Sequence, residues 1–192
     1  MKRGLRRIRY KLNTQKSLNL RKTSQICLWL DGYDDLFSDF DPRPNSQRAL
    51  SDDFLQEANR ASKDKSYKGI ELKFLVPKHK RVIHQEIIIK KRLKDHFKKH
   101  HKLLHNEMQN MIRQGILYII LGILLMFSAS YILFNHYNNT LFLNFLIILL
   151  EPSGWFMFWE GLYLIVFEQK EMKPTLEFYE KMFKSKIGFF SY

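Results

Sequence analysis

The sequence predicts an α+β membrane protein: a small cytoplasmic βαβ-type domain joined by a long basic helix to a two-helix transmembrane hairpin. Three observations carry this reading. Residues 114–168 contain no Lys or Arg, whereas both flanks are basic. Residues 78–113 contain no Pro or Gly and repeat apolar residues at helical spacing. Residues 24–77 read as strand, helix and strand, separated by turn-forming stretches. The expected divisions are a basic arm (1–23), the βαβ-type domain (24–77), a basic juxtamembrane helix (78–113), the hairpin (114–168) and a cytoplasmic C-terminal tail (169–192).

The arm opens a chain of net charge +13, and residues 1–30 hold nine bases and no acid. They contain no apolar stretch long enough for a secretory signal. The arm reads as a basic segment on a bacterial cytoplasmic face, with a mitochondrial presequence as the alternative. Residues 8–20 offer one further strand.

SQICLWLD, residues 24–31, reads as a short buried strand ended by Asp-Gly. It contains the single cysteine, Cys27, expected as a buried, inert thiol. Residues 46–64 read as a helix capped by Ser46, with Phe54, Leu55, Ala58 and Ala61 on its apolar side. After a turn at Tyr67–Gly69, residues 69–77 alternate Ile70, Leu72, Phe74 and Val76 and stop at Pro77. Strand, helix and strand in this order make a crossover unit with parallel strands.

A helix starting near Lys78 must cover one face of that sheet. Its stripe is Val82, Ile89, Leu93, Phe97, Leu104, Met108 and Met111, interrupted by Glu86 and His100. Nothing breaks it before the first span, so one helix of about 55 residues, roughly 80 Å, is expected. The first span, 115–134, covers the ~30 Å of a hydrocarbon core. After NHYNNT, residues 141–167 form a second run too long to stand upright, at about 40 Å. Pro152 interrupts it, and a kinked helix is expected rather than two pieces. Lys and Arg flank both spans on one side and are missing from the turn, so both termini are expected in the cytoplasm. A bacterial inner membrane, or a mitochondrial one with both termini in the matrix, fits this pattern.

Two glutamates lie in the second run. If Gln114 and Glu168 share one depth at the inner boundary, Glu151 lies about 5 Å inside the outer surface and is interfacial. Glu160 then lies about 11 Å inside the inner boundary, level with Gly122 and a turn beyond Tyr118. It is expected as a neutral carboxyl hydrogen-bonded near Gly122, where a small residue admits a second helix. Trp155 and Trp159 sit deeper than an aromatic belt on this count, which leaves a shift of one turn open.

Three polar clusters could carry chemistry. Asp31, Asp34, Asp35, Asp39 and Asp41 lie at the carboxyl end of a strand and could hold Mg²⁺ or Ca²⁺, although their spacing fits no metal motif. The plainer expectation is an acidic loop resting on the chain's own basic helix. His96 with His100, and His101 with His105, are two i, i+4 pairs without a third ligand. Lys98, Lys99, Lys102, Arg113, Lys170 and Lys173 are positioned to meet anionic lipid headgroups. No nucleophile arrangement, phosphate loop or nucleic-acid motif is present, so no cofactor and no nucleic-acid partner are expected.

The leading expectation is a two-span integral membrane protein acting as a non-enzymatic adaptor, sensor or accessory subunit, with a protein partner or a homo-oligomer. One alternative is an oligomeric pore or proton-conducting unit using Glu160. The other is a membrane-anchored metal-dependent enzyme centred on Asp31–Asp41.

Overall fold

The computed structural model describes residues 25–63, 70–135 and 140–192. The basic arm with its strand within 8–20, the turn at Tyr67–Gly69 and the external turn around Asn138 lie outside the described residues. The chain is mostly helical, with one small sheet and two helices long and apolar enough to cross a membrane. In order these elements are β1 (Gln25–Trp29), α1 (Asp52–Ser62), β2 (Glu71–Val76), α2 (Ile83–Asn135), α3 (Leu141–Tyr163), α4 (Gln169–Lys184) and β3 (Lys186–Ser191). A π-helical turn, Leu164–Glu168, joins α3 to α4. The chain divides into a sheet unit (residues up to Arg92, with 184–192) and a helical unit, Leu93–Phe183.

The sheet has three parallel strands in the order β1-β2-β3, with Cys27 opposite Lys73 and Lys73 opposite Gly188. Ile70, Leu72, Phe74 and Val76 are buried on one face, as their period of two requires. Phe54 of α1 and Phe189 of β3 pack on Phe74 there, and Tyr33 packs edge-on against Phe189. The same alternation sends Cys27 and Trp29 to the other face. Cys27 is therefore exposed, not buried: an apolar run was mistaken for a strand covered on both sides. Trp29, Phe190 and Tyr192 are also exposed on the described sheet unit, with the rings of Trp29 and Tyr192 4.3 Å apart.

Two starts differ from expectation. Helix α1 begins at Asp52 after Ser51, not at Ser46. Residues 45–47 form a turn and Leu50 an antiparallel bridge with Phe37, so the helix cannot start before Leu50. Helix α2 begins at Ile83, because Val82 gives its N–H to the Tyr33 hydroxyl at 2.9 Å. It then runs 53 residues without interruption to Asn135. Residues 169–192, expected as a tail, supply both α4 and the third strand. KIGFFS is too short to stand out as a strand before a pairing partner is known.

In the helical unit α2 and α3 pack through small residues. Gly115, Gly122 and Ala129 of α2 are buried, as are Gly154 and Gly161 of α3. A methyl on Gly122 would lie 2.6 Å from the Gly154 carbonyl oxygen, and one on Gly161 2.5 Å from that of Gly115. Glycine is required here by close backbone approach. The spacing of seven on each helix is that of a left-handed pair.

Candidate functional site

The Asp31–Asp41 loop is held together by its own carboxylates. Asp35 Oδ2 accepts the backbone N–H groups of Asp31 and Gly32. Asp41 takes a bidentate pair from Arg43, at 2.9 and 2.8 Å, and the N–H of Ala49. These donors hold its carboxyl far below the usual carboxylate range, with the Arg43 hydrogen bonds contributing most. Asp34 and Asp39 both pair with Arg48. Among the described residues no three His, Cys, Asp or Glu side chains come together as a metal site. Arg92 of α2 donates to Arg48 O and Gln47 O, in the segment that follows the Asp31–Asp41 loop.

Glu86, which seemed only to interrupt the apolar stripe of α2, is 5% exposed and is the polar centre of the sheet unit. Arg81 donates to both of its oxygens, at 2.8 and 3.1 Å, and the Tyr33 hydroxyl donates to Oε1 at 3.1 Å. Arg81 also reaches Phe189 O at 3.3 Å and so ties β3 to the start of α2. The Arg81 bonds lower the Glu86 pKa, against the opposing effect of burial. Burial is the largest effect on Tyr33 and raises its pKa. A readable signal existed: an arginine five residues before a glutamate at a helix start.

The histidines serve aromatic packing in the helical unit. His96 and His100 lie 4.2 Å apart, and His100 stacks on Tyr179 of α4 at 5.3 Å. His101 and His105 stack beside each other, with Phe183 against His101. Lys98, Lys99, Lys102, Arg113, Lys170 and Lys173 are all exposed.

The paired glycines fix the depth of the two glutamates. With Gly115 against Gly161 and Gly122 against Gly154, Gln114 lies level with Leu162, not with Glu168. The shared boundary assumed from sequence is therefore displaced by six residues, about 9 Å. Glu160 comes level with Ile116, only about 1.5 Å along the axis from the start of the first apolar segment. Gly122 faces Gly154 and Phe158, so the expected Glu160–Gly122 contact is not formed. Glu151 comes level with Leu125, about 15 Å from either end of 115–134. Along the first apolar segment, Glu151 is thus the central carboxyl and Glu160 the one near the end. In this register Trp159 comes level with Leu117, near the end of the first apolar segment, while Trp155 stays level with Leu121, about 9 Å in from that end. The signal that sequence reasoning missed is the pair of glycines seven apart in each span.

At Glu151 the helix surface has a groove of about 480 Å³, lined by Met126, Ile148, Glu151, Pro152 and Trp155. Helix α3 runs through Pro152 without ending. Pro152 has no N–H, so the Ile148 carbonyl lacks its helical donor. One residue on, Ser153 Oγ donates to Leu149 O at 2.6 Å. Among the described residues neither Glu151 nor Glu160 has a side-chain hydrogen-bond partner. The groove can thus offer a carboxyl and a carbonyl, both acceptors, to a donor or cation within an otherwise apolar surface. No known protein family, curated protein or solved structure matches the chain.

Proposed function

We propose that this chain is a two-span integral membrane protein with both termini in the cytoplasm, whose sheet unit serves as a non-enzymatic adaptor or accessory subunit at the membrane. The observation that carries the topology is the pairing of β2 with β3. The chain leaves the sheet unit at Arg92 and returns at Lys184, to place Lys186–Ser191 beside Glu71–Val76. A segment that starts and ends in one small sheet fits an even number of crossings, and the basic flanks favour the cytoplasm for that sheet. Ile116, Leu117, Ile120, Leu124, Phe127 and Phe156 are exposed on the helices, and hydrocarbon rather than water suits such a surface. The exposed basic side chains near the apolar segments, Arg113 and Lys170 above all, suit contact with anionic headgroups.

The adaptor reading rests on the aromatic-rich sheet face that stands open among the described residues, because parallel sheets are normally covered on both sides. Compartment reporters at residue 1, Asn138 and Tyr192 test the topology: the two ends should report together and Asn138 on the opposite side. Gentle solubilisation of the tagged full chain tests the adaptor role. A stoichiometric partner, lost when Trp29 and Phe190 are replaced by Ser, is expected. Purification of the intact chain alone would remove the reading. Conduction through Glu160 is the second reading; it draws less support from a register that pairs this carboxyl with Ile116, near the end of the first apolar segment.

A further inference from the structure

The strongest unassigned feature is the groove at Glu151. It lies on the flank of α3, beside the glycine seam and not inside it. Gly154 and Gly161 are buried against α2, while Glu151, Ile148 and Trp155 are exposed. If residues 115–134 span the bilayer, the groove opens into hydrocarbon near mid-depth. An uncovered carboxyl there is unfavourable by several kcal/mol, of the order of 3. The hairpin supplies no partner of its own, because residues 114–168 contain no Lys or Arg. Pro152 adds a second acceptor by stripping the Ile148 carbonyl of its helical donor.

We propose that the Glu151 groove is the docking site for a transmembrane helix of another protein that carries one lysine or arginine near mid-bilayer. Charge complementarity selects this occupant. A second copy of the chain would bring only another Glu151 to the groove, carboxyl against carboxyl, with no Lys or Arg in its own 114–168 and its one histidine there, His136, at the far end of the apolar segment. A headgroup amine cannot descend about 15 Å without dragging its phosphate with it. A basic side chain on a helix reaches that depth with its backbone bonds satisfied. It would place its donors between the carboxylate and the Ile148 carbonyl, with its apolar stem against Met126 and Trp155. This docking rests on the membrane-spanning reading and deepens it, because it names the chemistry by which an accessory subunit would hold its partner.

The test uses the full chain in lipid nanodiscs and a synthetic polyleucine helix with a single central lysine, labelled for energy transfer. Protease protection of the hairpin is measured on the same sample. Association at least about tenfold tighter than for the same helix with norleucine in place of lysine is expected. Glu151→Gln should abolish that preference, and Glu160→Gln should leave it intact. Glu151→Lys should reverse it in favour of a helix with a central glutamate. Equal binding of the lysine and norleucine helices to a protected hairpin overturns the docking proposal alone. So does a preference that survives Glu151→Gln. Glu151-dependent self-association that excludes the lysine helix overturns it in favour of a homo-oligomer. An unprotected hairpin removes the membrane reading, and the docking site with it.

Discussion

Glu86 and Glu151 are both carboxylates set among apolar residues, and the chain treats them in opposite ways. Glu86 is buried with two bonds from Arg81 and one from Tyr33, all within the sheet unit. Glu151 has no side-chain partner among the described residues and lies open in a groove. A buried charge is tolerable when nearby groups return the hydrogen bonds that water gave it. The sheet unit meets that condition by itself. The hairpin does not, and the difference separates a carboxylate that holds a fold together from one suited to engaging something outside the chain.

The largest test of the contrast removes each carboxyl. Glu86→Ala should destabilise the sheet unit by about 3 kcal/mol, since it leaves the Arg81 charge and the Tyr33 hydroxyl without their acceptor. Glu151→Ala should leave the thermal unfolding of the purified chain unchanged. Comparable losses from both, in parallel melts, would erase the distinction. Next is Gly154→Leu, which should force α2 and α3 apart, because even a methyl there would meet Met126 Cγ at 2.7 Å and Gly122 O at 2.8 Å. Overpacking of this kind costs about 1–3 kcal/mol. A spin-label pair on α2 and α3 should report the separation, while the sheet unit keeps its stability. Tyr33→Phe should cost the sheet unit about 1 kcal/mol, as Val82 N–H loses its acceptor and Glu86 a donor.

The smallest effect is in pH. The Glu86 pKa is lowered on folding, so its contribution is full above the ordinary glutamate value of 4.5 and fades as pH falls below it. The Tyr33 pKa is raised, so its contribution is full below 10.0 and is lost as pH rises beyond that value. Stability of the sheet unit should therefore be flat between these limits and fall on both sides. In Glu86→Gln the acid limb should shrink, as amide exchange of β2 would reveal.

Much of the architecture was readable. Period two identified β2, because Leu72, Phe74 and Val76 carry the pattern without reference to anything distant. The unbroken helical pattern from the domain into the first span identified α2. The misplaced starts of α1 and α2 have one cause: partners far along the chain. Phe37 holds Leu50 extended, and Tyr33 takes the Val82 N–H. The candidate site was half readable. Glu151, Pro152 and Glu160 announced themselves as interruptions of an apolar run, but the register of that run against α2 did not.

The sequence by itself determined most of the elements and the chemistry available to them: two long apolar helices, basic flanks on both of them and a stretch of 55 residues with acids but no Lys or Arg. Such properties depend on composition and on periods of two to four residues, which neighbours in the chain define. Tertiary structure decided which carboxyl comes level with the middle of the first apolar segment, which is buried with partners and where the C-terminal residues go. Those outcomes depend on register between segments, which composition leaves free. Gly115 meets Gly161, and Gly122 meets Gly154, because only there can two backbones come within contact, and that single match carries Glu151 to the middle of the apolar span.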